Sequence, residues 1–328
     1  MKYQISFMTL ILIILFAGCS KGYINPVEPD REGMATVKPY VFVTEAYTTH
    51  SFGQLYYGDG VNAPTPLLSG VWVAEPILVG DYIYFIKYSG YYPKLITEPI
   101  RYTISTGVSK SLGSPSTSIM NLWIHIDAVA NGTYLIGTTQ GIKIYKNGSL
   151  LRSLSGWWSF YQDAELSDDG AYVAFIMDNK GYLQKVSSYT KKLILNNGYA
   201  CEVATNGDGS KVGFITLVGS DYLLYVWSSA GLSKIPENGA WDYFLDMDAS
   251  SFVTWTSNSL SGGQGSVYSW DGATVDYWCA GNCPVANGDY ILFGGTNPLS
   301  ASVVDRATKE ITVLGSYGNW VEFCNWGR

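Results

Sequence analysis

Charged residues are scarce in this chain of 328 residues: they make up 14% of it, and the net charge is −7. The sequence contains no cluster of basic residues. Because affinity for nucleic acid depends largely on neutralising phosphates, we expect no nucleic-acid partner. After the amino-terminal end, no segment approaches 18 consecutive apolar residues, so the rest of the chain predicts no transmembrane helix.

Histidine is rare in the chain, and recognisable catalytic motifs are absent. The chain has two histidines, His50 and His125. It has no GxSxG turn, no phosphate-binding glycine loop and no metal-binding helix motif. Sequence spacing alone does not exclude a nucleophile assembled from distant segments. The sequence nevertheless predicts no catalytic residue, no metal and no cofactor.

The first residues have the order of a secretory signal. Lys2 supplies a positive charge, residues 5–17 form an apolar run, and Gly18 precedes Cys19. The run is too short for a stable membrane span. Residues 1–18 are therefore predicted to be a signal peptide.

The end of this segment resembles the lipobox of bacterial lipoproteins, although Phe16 departs from the small or branched residue usual at its position. The resemblance implies that Cys19 carries the lipid (palmitate), that residues 19–36 form a tether, and that Ser20, where Asp would cause retention, favours the outer membrane. The periplasmic and the surface-exposed face remain open. The alternative is an ordinary signal peptide with an incidental cysteine.

One strand pattern recurs along the remaining chain, which is rich in Gly, Tyr and Trp. An aromatic-led apolar strand begins at seven anchors, spaced 42, 52, 38, 39, 41 and 38 residues apart. A period near forty with several strands per unit is typical of a β-propeller. The anchors are Tyr40, Tyr82, Tyr134, Tyr172, Lys211, Phe252 and Tyr290.

The two ends of the repeat region complement each other. The first repeat lacks its opening strand, and residues 319–326 read as an opening strand with nothing after it. We therefore expect this segment to join the first repeat and close the ring, which removes exposed sheet edges. The prediction is one all-β domain over residues 37–328 with seven blades, or alternatively six or eight.

This organisation resembles the bacterial TolB-like and WD-repeat-like propellers. Ser269-Trp270-Asp271 contains the Trp-Asp pair, but the Gly-His dipeptide of WD repeats is absent. The resemblance implies a propeller fold and a habit of binding partners, and it implies no activity.

Aromatic residues recur near the starts of the opening strands, which run beside the channel of a propeller. We predict that they form a collar at one mouth of the channel, suited to stacking on sugars or gripping a protein. The alternative is that each ring wedges between blades as ordinary core. The candidates are Trp72, Trp123, Trp157, Trp158, Tyr199, Trp241 and Trp320.

Carboxylates recur in the same strands. They predict an acidic channel that binds a cation or a sugar, or supplies a general acid and base pair; the alternative is a solvated lining that avoids burying charge. The candidates are Glu75, Asp127, Glu165, Glu202, Asp246 and Glu322, and counting from the anchors groups Glu75 with Asp127 and Glu165.

The four cysteines beyond Cys19 suggest disulfides in an exported chain. Cys283 lies in the seventh opening strand and Cys324 in the closing strand, so a Cys283–Cys324 bridge would staple the ring. A local Cys279–Cys283 bridge is the alternative.

These observations predict a lipid-anchored envelope propeller that is not an enzyme and acts as a protein-interaction or assembly scaffold. Its partners would be the membrane, through the lipid, and another envelope protein or a glycan. The alternatives are a glycan-binding surface lipoprotein that uses the aromatic collar, and a glycan-active hydrolase or lyase that uses a carboxylate pair such as Asp127 and Glu165.

Overall fold

The computed structural model describes the backbone of residues 37–44, 54–68, 72–90, 96–117, 123–156, 163–196, 198–219, 221–235, 241–247, 252–257, 265–270, 275–296, 299–316, 321–326 and 328. Side chains are described for the same residues except 72, 123–124, 221, 241–245, 252–283, 295–299, 316 and 321–324.

These residues form 27 strands. The first eleven are β1 (Tyr40–Thr44), β2 (Gln54–Gly58), β3 (Thr65–Leu68), β4 (Trp72–Val79), β5 (Tyr82–Ser89), β6 (Ile96–Thr103), β7 (Val108–Ser111), β8 (Trp123–Ala128), β9 (Thr133–Thr138), β10 (Gly141–Lys146) and β11 (Ser149–Ser155). The next eight are β12 (Ala164–Leu166), β13 (Tyr172–Met177), β14 (Lys180–Lys185), β15 (Lys191–Leu195), β16 (Tyr199–Thr205), β17 (Val212–Val218), β18 (Asp221–Ser228) and β19 (Gly231–Lys234). The last eight are β20 (Trp241–Met247), β21 (Phe252–Ser257), β22 (Gly265–Trp270), β23 (Val275–Asn287), β24 (Tyr290–Thr296), β25 (Leu299–Asp305), β26 (Ile311–Ser316) and β27 (Val321–Trp326).

The strands form antiparallel sheets arranged as a β-propeller, which confirms the predicted fold class. The first sheet has the order β27-β1-β2-β3, and the second to fifth sheets are β4–β7, β8–β11, β12–β15 and β16–β19. Strands β20–β26 form one large sheet. The innermost strands β27, β4, β8, β12, β16, β20 and β23 contact one another in that cyclic order around the axis.

The expectation of seven separate blades is wrong, because the described strands form six sheets. The sixth and seventh repeats are joined through β23, a strand of 13 residues. Its residues 275–280 pair with β22, and its residues 281–287 pair with β24. One strand is thus the outermost member of one four-strand group and the innermost member of the next.

The predicted closure is confirmed. Strand β27 pairs antiparallel with β1, with Trp326 opposite Tyr40. The indole Nε1 of Trp326 also donates to the carbonyl oxygen of Val285 in β23 at 2.9 Å, which ties the closing strand to the large sheet. The first sheet therefore takes its innermost strand from the last repeat.

The core lies between neighbouring sheets. A phenylalanine two or three residues after the anchor is almost completely buried in five of the second strands. Burying such a ring contributes about 1.5–3 kcal/mol, so these contacts hold each sheet against the next. The five are Phe42, Phe85, Phe175, Phe214 and Phe293.

Within the described part of the chain, no helix is both long enough and apolar enough to span a membrane.

Candidate functional site

The candidate site is the inner wall of the propeller, where five of the predicted acids have described side chains. Glu75 lies on β4, Asp127 on β8, Glu165 on β12, Glu202 on β16 and Asp246 on β20. Glu322 lies on β27, but its side chain is outside the described residues.

Three of these acids bind the backbone of the next innermost strand. Asp127 Oδ2 accepts from the backbone N–H of Leu166 at 2.7 Å, and Glu165 Oε2 accepts from that of Thr205 at 3.0 Å. An innermost strand has one edge without a neighbouring strand, and its N–H groups need acceptors. These carboxylates satisfy that edge and join consecutive sheets.

The same contact recurs around the axis. Asp246 Oδ2 accepts from Ala286 N at 2.6 Å, and the amide oxygen of Asn325 accepts from Leu78 N at 3.3 Å across the closure. The repeated acids therefore have a structural use as acceptors for backbone N–H groups.

One cation, Arg328, lies among the acids. Its NH1 is 3.0 Å from Asp127 Oδ1 and its NH2 is 2.7 Å from Glu165 Oε1, while its Nε is 3.6 Å from Asp168. Burial opposes the charge of Arg328, but Asp127 and Glu165 outweigh it and raise the pKa of the guanidinium. Arg328 thus neutralises two of the carboxylates that a glycosidase would need.

Farther along the wall, His125 lies between carboxylates from two neighbouring sheets. Its Nδ1 is 2.6 Å from Glu75 Oε2, and its Nε2 is 3.4 Å from Asp163 Oδ1 and 2.5 Å from the carbonyl oxygen of Ala164. Burial lowers the pKa of His125, but Glu75 and Asp163 outweigh it and raise the pKa to about 10. The imidazolium form, with both N–H groups donating, fits these three acceptors.

The contact with His125 corrects the grouping of Glu75 with Asp127 and Glu165. Counting back from the anchors fails because the turns differ: residues 80–81 join β4 to β5, whereas residues 129–132 join β8 to β9. A bulge between Ala74 and Ile77 also shifts the register, and Glu75 has a positive φ of 51° there. Glu75 therefore lies level with His125.

Glu202 differs from the other acids because no hydrogen bond or ion pair joins its carboxyl to any described residue. Burial raises its pKa well above the ordinary range, and Asp163 and Glu75 raise it further, while His125 lowers it. The pKa of Glu165 is also well above its ordinary range, chiefly through burial, against the opposing charge of Arg328. Burial is thus the first cause of the raised pKa of both carboxyls.

This arrangement can hold protons and pair charges, and it offers little for metal binding. Among the residues that the structure describes, no group of three or more His, Cys, Asp or Glu side chains is placed to hold a metal ion. Carboxylates that bind backbone N–H groups and Arg328 are not free to act as nucleophile or base.

For most residues of the predicted aromatic collar, the structure describes at most the position of the backbone. Trp72, Trp123, Tyr199 and Trp241 are each the first residue of an innermost strand, so these four positions lie at one end of the ring. Of the four, only Tyr199 has a described side chain, which is 37% exposed. The side chains of Trp72, Trp123 and Trp241, and the whole of Trp157, Trp158 and Trp320, lie outside the described residues, so the collar stays a prediction.

The cysteine predictions are also mostly outside the described residues, since the side chains of Cys279, Cys283 and Cys324 are not among them. The exception is Cys201, which is a free thiol. Its Sγ lies 3.4 Å from the carbonyl oxygen of Ile215, and burial raises its pKa.

Sequence reasoning missed Arg328 and the backbone contacts of the acids. The one available signal was a single arginine two residues beyond the closing strand, where the chain re-enters the acidic wall. The interlocking of acids and N–H groups had no signal, because it joins residues about forty positions apart.

No protein-family model and no curated protein sequence matches the chain. Solved structures do resemble it. TolB from Acinetobacter baumannii has a TM-score of 0.56 at 14% identity, over 88% of this chain and 66% of that one. The chain thus spans slightly less than two thirds of that protein.

Two proteins from Pyrococcus species also resemble the chain. The β-propeller domain of the trilobed protease from Pyrococcus furiosus, described as having an open velcro topology, has a TM-score of 0.61 at 12% identity, over 85% of this chain and 95% of that one. Acylaminoacyl peptidase from Pyrococcus horikoshii has a TM-score of 0.60 at 11% identity, over 84% and 50%. At these identities the likeness shows the propeller fold.

Proposed function

We propose that this protein is a lipid-anchored envelope propeller that acts as a non-enzymatic scaffold for protein interaction or assembly. The observation that carries the proposal is the use of the inner acids. Asp127, Glu165 and Asp246 each bind the backbone of the next innermost strand, and Arg328 pairs with the first two. The wall is built for rigidity, and a rigid ring presents its end loops to a partner.

The binding face is the end at which the innermost strands begin. Tyr199 lies there with its ring 37% exposed, and Trp72, Trp123 and Trp241 begin the equivalent strands. Aromatic side chains supply large contact area at little cost in conformational entropy. The signal-like residues 1–18 support an envelope location for this face.

A matched pair of tyrosines tests the face. Tyr199 and Tyr82 are equally exposed, at 37%, but Tyr82 begins a second strand and so lies at the opposite end of the ring. We expect Tyr199→Ala to reduce co-purification of the partner from cross-linked envelopes about tenfold, since a truncated hot spot costs 1–2 kcal/mol or more. Tyr82→Ala should retain it. Equal recovery with both variants would count against this face.

The lipid anchor needs its own test. Cys19→Ser should move the protein from the detergent phase to the aqueous phase on Triton X-114 partition, and mass spectrometry of the wild type should find acyl chains on Cys19. A wild-type amino terminus without lipid would remove the anchor and leave the scaffold proposal standing.

Glycan binding is the second candidate, favoured by the four aromatic positions that begin innermost strands. Stacking on sugars would make Trp241→Ala lose retention on purified peptidoglycan or envelope polysaccharide. A glycan-cleaving activity is less well supported, because its candidate pair Asp127 and Glu165 is bound by Arg328.

A further inference from the structure

The lysines of this acidic protein are distributed unevenly around the ring. On the second, third and fourth strands of the third to fifth sheets there are eight basic residues and one acid, Asp221. The corresponding strands of the other sheets hold three basic residues and three acids, Glu98, Asp276 and Asp305. The eight are Lys143, Lys146, Arg152, Lys180, Lys185, Lys191, Lys192 and Lys234. They are scattered along the sequence and lie on three neighbouring sheets of the fold.

Exposed apolar side chains stand among these cations. Tyr189 is 87% exposed, Leu150 is 56% exposed and Leu193 is 47% exposed. Together with Leu151, Leu232, Lys185, Lys191 and Lys192 they form what we call the lysine–leucine rim. The rim lies at the outer border of the third to fifth sheets.

Contacts between sheets make the rim continuous. The guanidinium of Arg152 in the third sheet lies 3.8 Å from the centre of the Tyr189 ring of the fourth, and its Nε donates to the carbonyl oxygen of Val186. The ammonium of Lys192 lies 4.3 Å from the ring centre of Trp227 in the fifth sheet. The contact of Lys192 holds its charge at a defined position on the surface, whereas Arg152 is buried and joins the two sheets.

The rim also has a defined end. The turns at residues 147–148, 186–190 and 229–230 join third to fourth strands, so they lie where the innermost strands finish. The proposed partner-binding face is at the other end. Asp168, Asp169 and Asp208 share the rim's end but lie in turns of the innermost strands, nearer the axis.

Protection of sheet edges against pairing between molecules explains only some of the lysines on these sheets. Lysine on an outermost strand discourages pairing between molecules, which accounts for Lys191 and Lys192 on β15. Lys180 and Lys185 lie on β14, which is paired on both sides. In the described ranges no ion pair joins these four lysines to an acid, and the ammonium groups of Lys191 and Lys192 lie over the rings of Tyr182 and Trp227, which leaves their positive charge in place.

We propose that the lysine–leucine rim docks on an anionic lipid bilayer. Lysines gain energy from anionic headgroups, and leucine and tyrosine side chains enter the boundary between headgroups and acyl chains. A polyanionic glycan or a nucleic acid would engage the lysines but would give the exposed Leu150, Leu193 and Tyr189 nothing to contact. Docking would turn the opposite end of the ring away from the membrane. The proposal does not depend on whether Cys19 carries a lipid.

Residue-resolved amine labelling of the full-length protein tests this docking. The protein is mixed with phosphatidylcholine vesicles, or with vesicles containing one quarter phosphatidylglycerol, and labelled with an N-hydroxysuccinimide ester. We expect Lys185, Lys191 and Lys192 to be labelled several-fold more slowly on the anionic vesicles, with recovery in 0.5 M salt. Lys110 and Lys309, on the second and large sheets, should be labelled equally on both.

Removal of lysine charges provides a second test of the docking. Each lysine near an anionic surface contributes about 1 kcal/mol, so Lys185→Gln with Lys192→Gln should lower the ratio of docked to undocked protein about 25-fold. Labelling of Lys191 should then match its rate on neutral vesicles. The control Lys110→Gln with Lys309→Gln removes the same charge and should leave Lys191 protected.

The apolar side chains are tested separately by Leu150→Ser with Leu193→Ser, which keeps every lysine and should weaken docking. Circular dichroism melting shows whether each variant is folded. Equal labelling of Lys191 on both kinds of vesicle would overturn the proposal, as would protection by heparin but not by vesicles. Slower labelling of all lysines alike would also overturn it. Tyr199→Ala should not change any of these results.

Discussion

The pairing of His125 with Glu75 and Asp163 predicts an unusual loss of stability in mild alkali. The folded-state pKa of His125 is about 10 against an ordinary 6.5. At about 1.4 kcal/mol for each pH unit between them, the imidazolium contributes at most about 5 kcal/mol. Glu75 is 34% exposed, and water weakens its share, so we expect about 2–3 kcal/mol.

The sign follows from the raised pKa. Below pH 6.5 the histidine is protonated in both the folded and the unfolded state, and its contribution is fully present. Between pH 6.5 and about 10 only the folded state keeps the proton, so the free energy of unfolding falls as pH rises. Above pH 10 the contribution of His125 is gone.

Urea unfolding of wild type and His125→Gln at pH 6, 8 and 9.5 measures this effect. The difference in unfolding free energy should be largest at pH 6 and should shrink steadily towards pH 9.5. Glu75→Gln provides a control that keeps the imidazole but removes its nearest carboxylate, and it should flatten the pH dependence in part. An equal difference between wild type and His125→Gln at all three pH values would refute the reasoning.

Three further changes follow from the structure. Glu202→Gln should raise the free energy of unfolding at pH 7.5 by about 1 kcal/mol, because it removes a buried carboxyl whose pKa is raised by burial, and the gain should vanish at pH 4 in urea melts. Arg328→Gln leaves two carboxylates without their cation and should cost about 3 kcal/mol at pH 7.5 and less in acid; an equal cost at both would contradict the ion pairs. Gly181→Ala places a Cβ about 2.5 Å from the Phe214 ring and should lower the melting temperature at a cost of about 1–3 kcal/mol; if Phe214→Leu does not relieve part of it, the clash is not the cause.

The fold could be predicted because a propeller repeats itself. Aromatic-led strands at a period near forty, with Gly and Asn in the turns, specify consecutive antiparallel sheets. The missing first strand and the surplus last strand also specify how the ring closes. The continuity of β23 could not be predicted, because no local feature of the sequence shows that this strand runs unbroken from one repeat into the next.

The candidate site was predictable in residue type but not in contacts. Alternation placed His125 and Asp127 on one side of a strand, where they lie. The grouping of Glu75 with Asp127 failed, because turn length and a bulge change the register by amounts that residue counting does not see. Pairing of acids with the backbone of the next sheet depends on how sheets face one another.

Local and periodic features of this chain were thus determined by its sequence: the strands, the turns and the ring closure, because each depends on residues close together or on a regular period. The tertiary structure decided what those residues do. It brought Arg328 between Asp127 and Glu165, set His125 between two carboxylates, and assembled scattered lysines into one rim. Electrostatic partners are chosen by distance in space, and only the packed sheets define that distance.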